Sequence, residues 1–337
     1  TTAATYDLDT GVRVTFTAGT YVADEVYSWT DTGPKNTNAD ISAAMDAILA
    51  SSKSGKIVLV AGHAADAADT ETIATTVHSK LTTAEGSHRY MVGIVESPPI
   101  AASLLIAEFA DFQGSRVIVT GGYGDLFNSV TTATDKRALG RSLAARMGRN
   151  GISIDPMRND TDTDISPIDD MSIPDGQADT TAYHLENVTP GFNDAGFTYA
   201  MKFEDVAGVY FGNTLTMAPA SSDFRRATYR MIVDTAADVA YKRGVRFLQK
   251  KLRVDRTSGK IAESQARSIE NDINQQLLGV LVNGDHAVDA SCVVDRQTNL
   301  LSSPTLKIKV YVTPFGHATA IEFEIGLFNP AAVPIAA

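Results

Sequence analysis

Residues 56–122 read KIVLVAGHAADAADTETIATTVHSKLTTAEGSHRYMVGIVESPPIAASLLIAEFADFQGSRVIVTGG. KIVLVAG (56–62), YMVGIVE (90–96) and SRVIVTGG (115–122) are continuous apolar runs, the pattern of strands covered on both faces. Helical stretches lie between them, over 69–81 and 98–112, the second with Pro98 and Pro99 at its start, where proline is tolerated. Strand, helix, strand, helix, strand at this spacing predicts an open, mostly parallel α/β sheet. Such sheets take ligands at the carboxyl ends of their strands. The loops there would be 62–69 (GHAADAAD) and 121–125 (GGYGD), which define an alternative reading of the chain as an α/β enzyme. Neither loop carries GxGxxG or GxxxxGK[ST], so neither has the chemistry that cradles a phosphate.

Upstream, GVRVTFTAG (11–19) sets Val12, Val14 and Phe16 against Arg13, Thr15 and Thr17, a half-buried strand. A looser strand candidate follows at 21–29, then turn chemistry at 31–38. Residues 39–51 are a predicted helix with Ile41, Ala44, Met45 and Ile48 on one face and Thr37 or Asn38 as its cap. Downstream of the sheet, Leu139, Leu143 and Met147 stand four apart in a helix predicted over 135–149. Residues 159–195 open with a run rich in Asp, Pro and Ser and read as a long acidic surface loop. Asp160, Asp162 and Asp164 imitate the start of a calcium loop, but Ile165 replaces the required glycine and Met171 the closing glutamate. The alternation over 196–218 predicts two strands, with Gly212 and Asn213 as the turn.

Residues 222–283 hold two amphipathic helices joined by a basic connector. The first is expected to open at Ser222 or Asp223 and to bury Phe224, Ala227, Met231, Ile232 and Val239. In the second, Ala266, Ile269, Ile273, Leu277 and Leu281 form one stripe. The chain ends in β structure, over 290–295, 306–314 and 318–327. Ile321, Phe323 and Ile325 face one side of that last strand, and Glu322 and Glu324 the other.

The charge is unevenly spread. The 337 residues carry −11, yet residues 223–260 hold eleven bases against four acids, a net +7 that leaves −18 on the remainder. A basic patch on an acidic body points to an acidic partner, a solvated helix face being the bland alternative. Arg225, Arg226, Arg230, Lys242, Arg243 and Arg246 are its helical members. A pI near 5.0 argues against nucleic acid as the main partner. No apolar run approaches the roughly 20 residues that span a bilayer, so no membrane insertion is expected. The single cysteine, Cys292, cannot form an internal disulfide, and its alternating strand makes it a core residue rather than a nucleophile. No two of the six histidines stand at metal-ligand spacing and no GxSxG elbow exists. No catalytic, metal or cofactor residue is therefore assigned. Strands near both termini, with edges open to another chain, suit an assembly subunit.

The residues from Phe211 to Leu327 resemble the C-terminal domain of contractile-tail sheath proteins. The likeness is carried by GNTLTMAPASSDFRRATYRMIVDTA (212–236), the connector SGKI (258–261), and the closing strands LKIKVYVTP (306–314) and TAIEFEIGL (319–327). Residues 11–48 add a glycine-bearing alternating strand, an aromatic segment, a Gly-Pro turn and a helix. The resemblance implies a structural subunit of a bacteriophage tail, a tailocin or a related injection machine, and not an enzyme. Such subunits stack as hexameric rings around an inner tail tube, meet baseplate and tail terminator proteins, and contract to drive the tube through an envelope, with genome ejection following in a virion. It further implies a middle α/β domain over 31–221, leading strands over 1–30, and an inner domain over 222–337. In that domain Arg225, Arg226, Arg230, Lys242, Arg243 and Arg246 would face the tube, and Ile321, Phe323 and Ile325 would sit in an intersubunit strand. Sheath proteins usually carry an arm before the first strand, so a segment is expected upstream of Thr1.

Overall fold

The computed structural model describes backbone and side chains over 36–51, 55–62, 64–98, 100–124, 137–157, 191–201 and 209–318. It describes backbone alone over 5–7, 13–15, 125–128, 133–136, 168–172 and 178–179. The chain divides into two units, Thr1–Lys35 and Asn36–Ala337. In the first, β1 (Thr5–Asp7) pairs antiparallel with β2 (Arg13–Thr15), the strand expected from the alternation at Val12 to Phe16. The strand candidate at 21–29 lies outside the described residues.

The second unit is mixed α/β. Its centre is the predicted parallel sheet, in the order β3 (Ile57–Val60), β4 (Val92–Glu96), β5 (Val117–Thr120). Every residue of β4 and β5 is buried, whereas only Val58 of β3 is. The middle strand is covered as the apolar runs imply. β5 is covered because other backbone docks on its outer edge: Thr198 N–H donates to Val119 O at 2.9 Å and Met217 N–H to Val117 O at 2.9 Å.

Helix α1 (Asn38–Ala50) opens on a capping box, Thr37 Oγ1 accepting from Asp40 N–H at 3.2 Å while Asp40 Oδ2 accepts from Thr37 N–H at 3.0 Å. Helix α2 (Ala67–Gly86) is longer than the apolar period indicates and lays Ile73, Val77 and Leu81 over the sheet. It can approach because β4 carries Gly93, where a Cβ would stand 2.5 Å from Val77 Cγ1. Helix α3 (Ala102–Glu108) starts after the prolines rather than on them, and runs into a tight turn at Phe109–Asp111.

Helix α4 (Gly140–Asn150) buries Leu143 and Met147, as the four-residue spacing predicts. Residues 133–138 are not its first turn. They form β7 (Ala133–Ala138), which pairs with β6 (Tyr123–Asn128). The expected loop over 159–195 is also partly sheet, since β8 (Ile168–Ser172) and β9 (Ala178–Asp179) complete a four-stranded antiparallel sheet, β7-β6-β8-β9. The Asp, Pro and Ser signals mark turns, but cannot exclude strands of two to five residues between them. β10 (Ala200–Met201) and β11 (Tyr210–Phe211) pair antiparallel, so the residues between them make their connection. Gly212 and Asn213 follow the pair instead. Asn213 Nδ2 donates to Asn193 Oδ1 at 2.9 Å, which ties that exit to the segment at 193.

Helix α5 (Ala227–Gly244) begins later than Ser222. Ser222 caps a turn, Arg225 N–H reaching its carbonyl at 3.0 Å. Arg226 is then extended and bridges Leu215, with Thr216 N–H donating to Arg225 O at 2.8 Å and Ala227 N–H to Thr214 O at 3.1 Å. A side chain that caps a turn is indistinguishable by type from one that caps a helix. Helix α6 (Glu263–Leu277) agrees with its stripe: Ala266, Ile269, Ile273, Leu277 and Leu281 are each 0% exposed. They pack with Ile232 and Ala236 of α5 and with β12 (Ala287–Val294) in a second apolar core. β12 pairs antiparallel with β13 (Ile308–Pro314).

Cys292 is buried in that core, as its alternation predicts, and burial pushes its thiol up to about 11. At pH 8 about one thiol in a thousand is then thiolate. Native protein is expected to leave Cys292 unlabelled by a maleimide over minutes, and unfolded protein to label at once. Rapid native labelling would show that the β12–β13 hairpin does not stay seated on α6.

Candidate interaction surfaces

The six basic residues singled out on the first helix have different fates. Arg230 is not on the surface. It is 5% exposed and joins a buried ion cluster, its Nη2 2.6 Å from Glu85 Oε1 and 3.0 Å from Asp234 Oδ1. Arg116, 0% exposed, completes the cluster from β5's amino end. Its guanidinium donates to both oxygens of Asp234, at 2.8 and 3.0 Å, to Glu85 Oε2 at 2.9 Å and to Met91 O at 2.9 Å. Burial pushes the Asp234 carboxyl up to about 6, with the Arg116 guanidinium acting against it, so it is ionised at pH 7. The cluster ties α5 to α2 and the sheet. Arg230 therefore cannot be a contact for an external acidic surface.

Arg225 and Arg226 are half-buried. Arg225 donates to Ala218 O at 2.5 Å and to the Asp194 carbonyl, closing the turn before α5, and burial lowers its pKa. Arg226 stands 3.7 Å from the buried carboxylate of Asp155. Arg243 pairs with Asp272 of α6 at 3.2 Å. Only Lys242 and Arg246 point outward, Lys242 reaching Asp238 one turn back at 2.8 Å. Lys250, Lys251, Arg253 and Arg256 in the connector are exposed as well. The connector lacks apolar period, so its bases have no inward face, and that was the available signal.

Where α5 ends, a groove of about 830 Å³ opens between the connector and the segment that leads from β12 to β13. Tyr90, Phe247, Leu306 and Ile308 lie deep in it, and Tyr241, Leu248 and Leu301 stand at its mouth, 41%, 70% and 76% exposed. His88 stacks on Tyr241 at 3.7 Å and 17°. Patterning missed this groove, because its residues come from three separate segments.

The alternative site, at the carboxyl ends of the parallel strands, is filled from within. Glu96 ends β4, is 2% exposed, and its Oε2 accepts from Gly62 N–H at 3.2 Å. The first turn of α4 lies against it, so that a Cβ on Gly140 would stand 2.6 Å from Glu96 Cγ. A carboxylate thus occupies the helix-end position at which such sheets receive a ligand's anion. Burial raises the Glu96 pKa, and the Gly62 amide and Arg141 oppose the rise. Among the described residues no cluster of His, Cys, Asp and Glu could hold a metal ion. No helix among them is long and apolar enough to cross a membrane.

No protein-family profile matches this chain, and no curated protein matches it either. Solved structures do. The chain is similar over 89% of its length to a chain of the contracted helical sheath of the anti-feeding prophage, at 15% identity and a TM-score of 0.56, covering 76% of that chain. It is similar over 85% of its length to a chain of the contracted sheath complex of PVC, an extracellular contractile injection system, at 11% identity and a TM-score of 0.56, covering 74% of that chain. A sheath tail protein of Desulfitobacterium hafniense matches over 90% of this chain and 66% of its own, at 10% identity and a TM-score of 0.50. The fold is that of contractile sheath proteins.

Within this sheath fold, the β12–β13 hairpin packs one face on α5 and α6 and turns Val288, Val293 and Tyr311 to solvent. Among the described residues the sheet has two strands; α6 side chains take outer amides of β12, and the outer edge of β13 has no strand beside it. Ile321, Phe323 and Ile325, expected in a further strand, lie outside the described residues.

Proposed function

We propose that this chain is the structural subunit of a contractile sheath, stacking as hexameric rings around an inner tube and contracting to drive that tube through an envelope. The observation that carries the reading is a fold shared over 85–90% of the chain with sheath proteins of contractile systems. The energy of contraction would reside in subunit packing, without a nucleotide or other cofactor. Residues 31–221 serve as the middle domain, and 222–337 as the inner domain that meets the tube. Lys242 and Arg246 are the tube contacts, joined by the exposed Arg253 and Arg256 of the connector. Residues 319–327 supply a strand to an intersubunit sheet. Baseplate and terminator proteins bound the sheath at its ends, in a phage tail or an injection machine.

Negative-stain imaging of concentrated protein tests the reading. Striated hollow tubes are expected from the intact chain and none from a chain lacking 319–337, whose Cys292 should stay as protected as in the intact protein. With the cognate tube protein, Lys242→Glu with Arg246→Glu should weaken loading of sheath onto tubes, and so should rising salt. A chain that stays monomeric at all concentrations would overturn the reading.

A further inference from the structure

We propose that the groove at the end of α5 is a socket for a second copy of this chain, and that the outer face of α3 is what enters it. The inference rests on the sheath reading only in requiring that copies associate. An apolar groove with three large side chains exposed at its mouth offers a surface on which another apolar surface can bury. It is also preformed. His88 and Gln249, both lining it, hold left-handed backbone at φ 59 and 58, and the His88–Tyr241 stack fixes one wall. Its rim is basic: Lys250 lines it and Lys251 follows in the chain, both are exposed, and among the described residues neither has an acidic partner. The occupant must therefore be apolar at its centre and acidic at its flank.

One surface of the same chain has that character. Helix α3 is anchored by Leu105 and Phe109, which are 0% and 4% exposed. Its other side carries Leu104, 58% exposed, followed by Ala107, Glu108 and Asp111, all exposed. Spacings of three and four put Leu104, Ala107 and Glu108 on one ridge of α3, and Asp111 follows in the turn that ends it. No base occurs between residues 97 and 115. Leu104 and Ala107 supply the apolar centre, and Glu108 and Asp111 then meet Lys250 and Lys251. Socket and knob are different patches of one chain, so the contact is heterologous and propagates head to tail, the requirement for a ring or a helical polymer.

Site-directed crosslinking tests this. Chains carrying Leu104→Cys and chains carrying Leu301→Cys are mixed and treated with a short bis-maleimide, Cys292 being shielded in the core. A crosslinked dimer is expected from the mixture and none from either chain alone. Glu108→Lys with Asp111→Lys, or Lys250→Glu with Lys251→Glu, should each raise the concentration needed for association about tenfold, and the fourfold exchange should restore it. No crosslink in the mixture, or no recovery in the fourfold exchange, overturns the proposal. Tubes without the crosslink would sink the socket and leave the sheath reading standing, while the crosslink without tubes would do the reverse.

Discussion

Replacing Asp234 with alanine is expected to cost about 3–5 kcal/mol of folding stability, the range for breaking a buried ion pair from one side. Asp234 is 4% exposed, accepts from Arg116 and forms an ion pair with Arg230, which are themselves 0% and 5% exposed. Among the described residues Glu85 would remain as their sole carboxylate, and its side chain is 40% exposed, so water competes for it. Two guanidiniums would then stay in the interior with one half-solvated partner. Denaturant titration at pH 7.5, where the wild-type carboxylate is ionised, reads the loss directly. The pair Arg116→Met with Asp234→Leu should cost less than Asp234→Ala alone, because it removes the buried charge together with its partner. A loss under 1 kcal/mol for Asp234→Ala would mean that water already reaches the cluster. Since the cluster joins α5 to the sheet, Asp234→Ala should also lower the cooperativity of unfolding.

The parallel sheet was legible because its strands are written as apolar runs, and KIVLV, VGIVE and VIVT need no partner information to be recognised as strands, although only Val58 of β3 is fully buried. The α6 stripe was legible for the same reason, its period being local. The small antiparallel sheet was not. β8 and β9 are held by pairing with β6 and with each other, and a short strand among turn residues has no period long enough to see. The basic helix was misjudged at Arg230 through the same limit. Asp234 stands one turn on from Arg230, but Glu85 lies 145 positions away, and nothing in the local sequence of α5 says that this second acid and the buried Arg116 await it. The bases that remain exposed are those in the irregular connector and at the end of α5, where no apolar period assigns an inward face. Glu96 carried a signal that was readable in principle: a carboxylate closing an all-apolar strand must find donors inside, here the Gly62 amide.

Truncating Ile273 to alanine should cost about 2–5 kcal/mol, the range for emptying a fully packed core position. Ile273 is 0% exposed and sits in the core shared by α5, α6 and β12. Polar bonds also hold the hairpin there, and they are arranged to survive the truncation. Cys292 N–H donates to Asn274 Oδ1 at 2.7 Å and Val294 N–H to Glu270 Oε1 at 2.8 Å. Arg296 reaches Glu263 at 2.6 Å and Glu270 at 2.7 Å. The outcome therefore separates two accounts of what seats the hairpin. If apolar packing dominates, the opening equilibrium shifts with the lost stability, and Cys292 labelling accelerates roughly 30-fold to several-thousandfold, ten times for each 1.4 kcal/mol. If the polar bonds dominate, labelling stays slow in Ile273→Ala and quickens in Arg296→Ala instead. The packing account is the stronger. Arg296 and Glu263 lie at the surface, where ion pairs contribute about 0–1 kcal/mol, whereas five stripe residues of α6 and its extension are wholly excluded from water. Comparable labelling rates in Ile273→Ala and wild type would refute it.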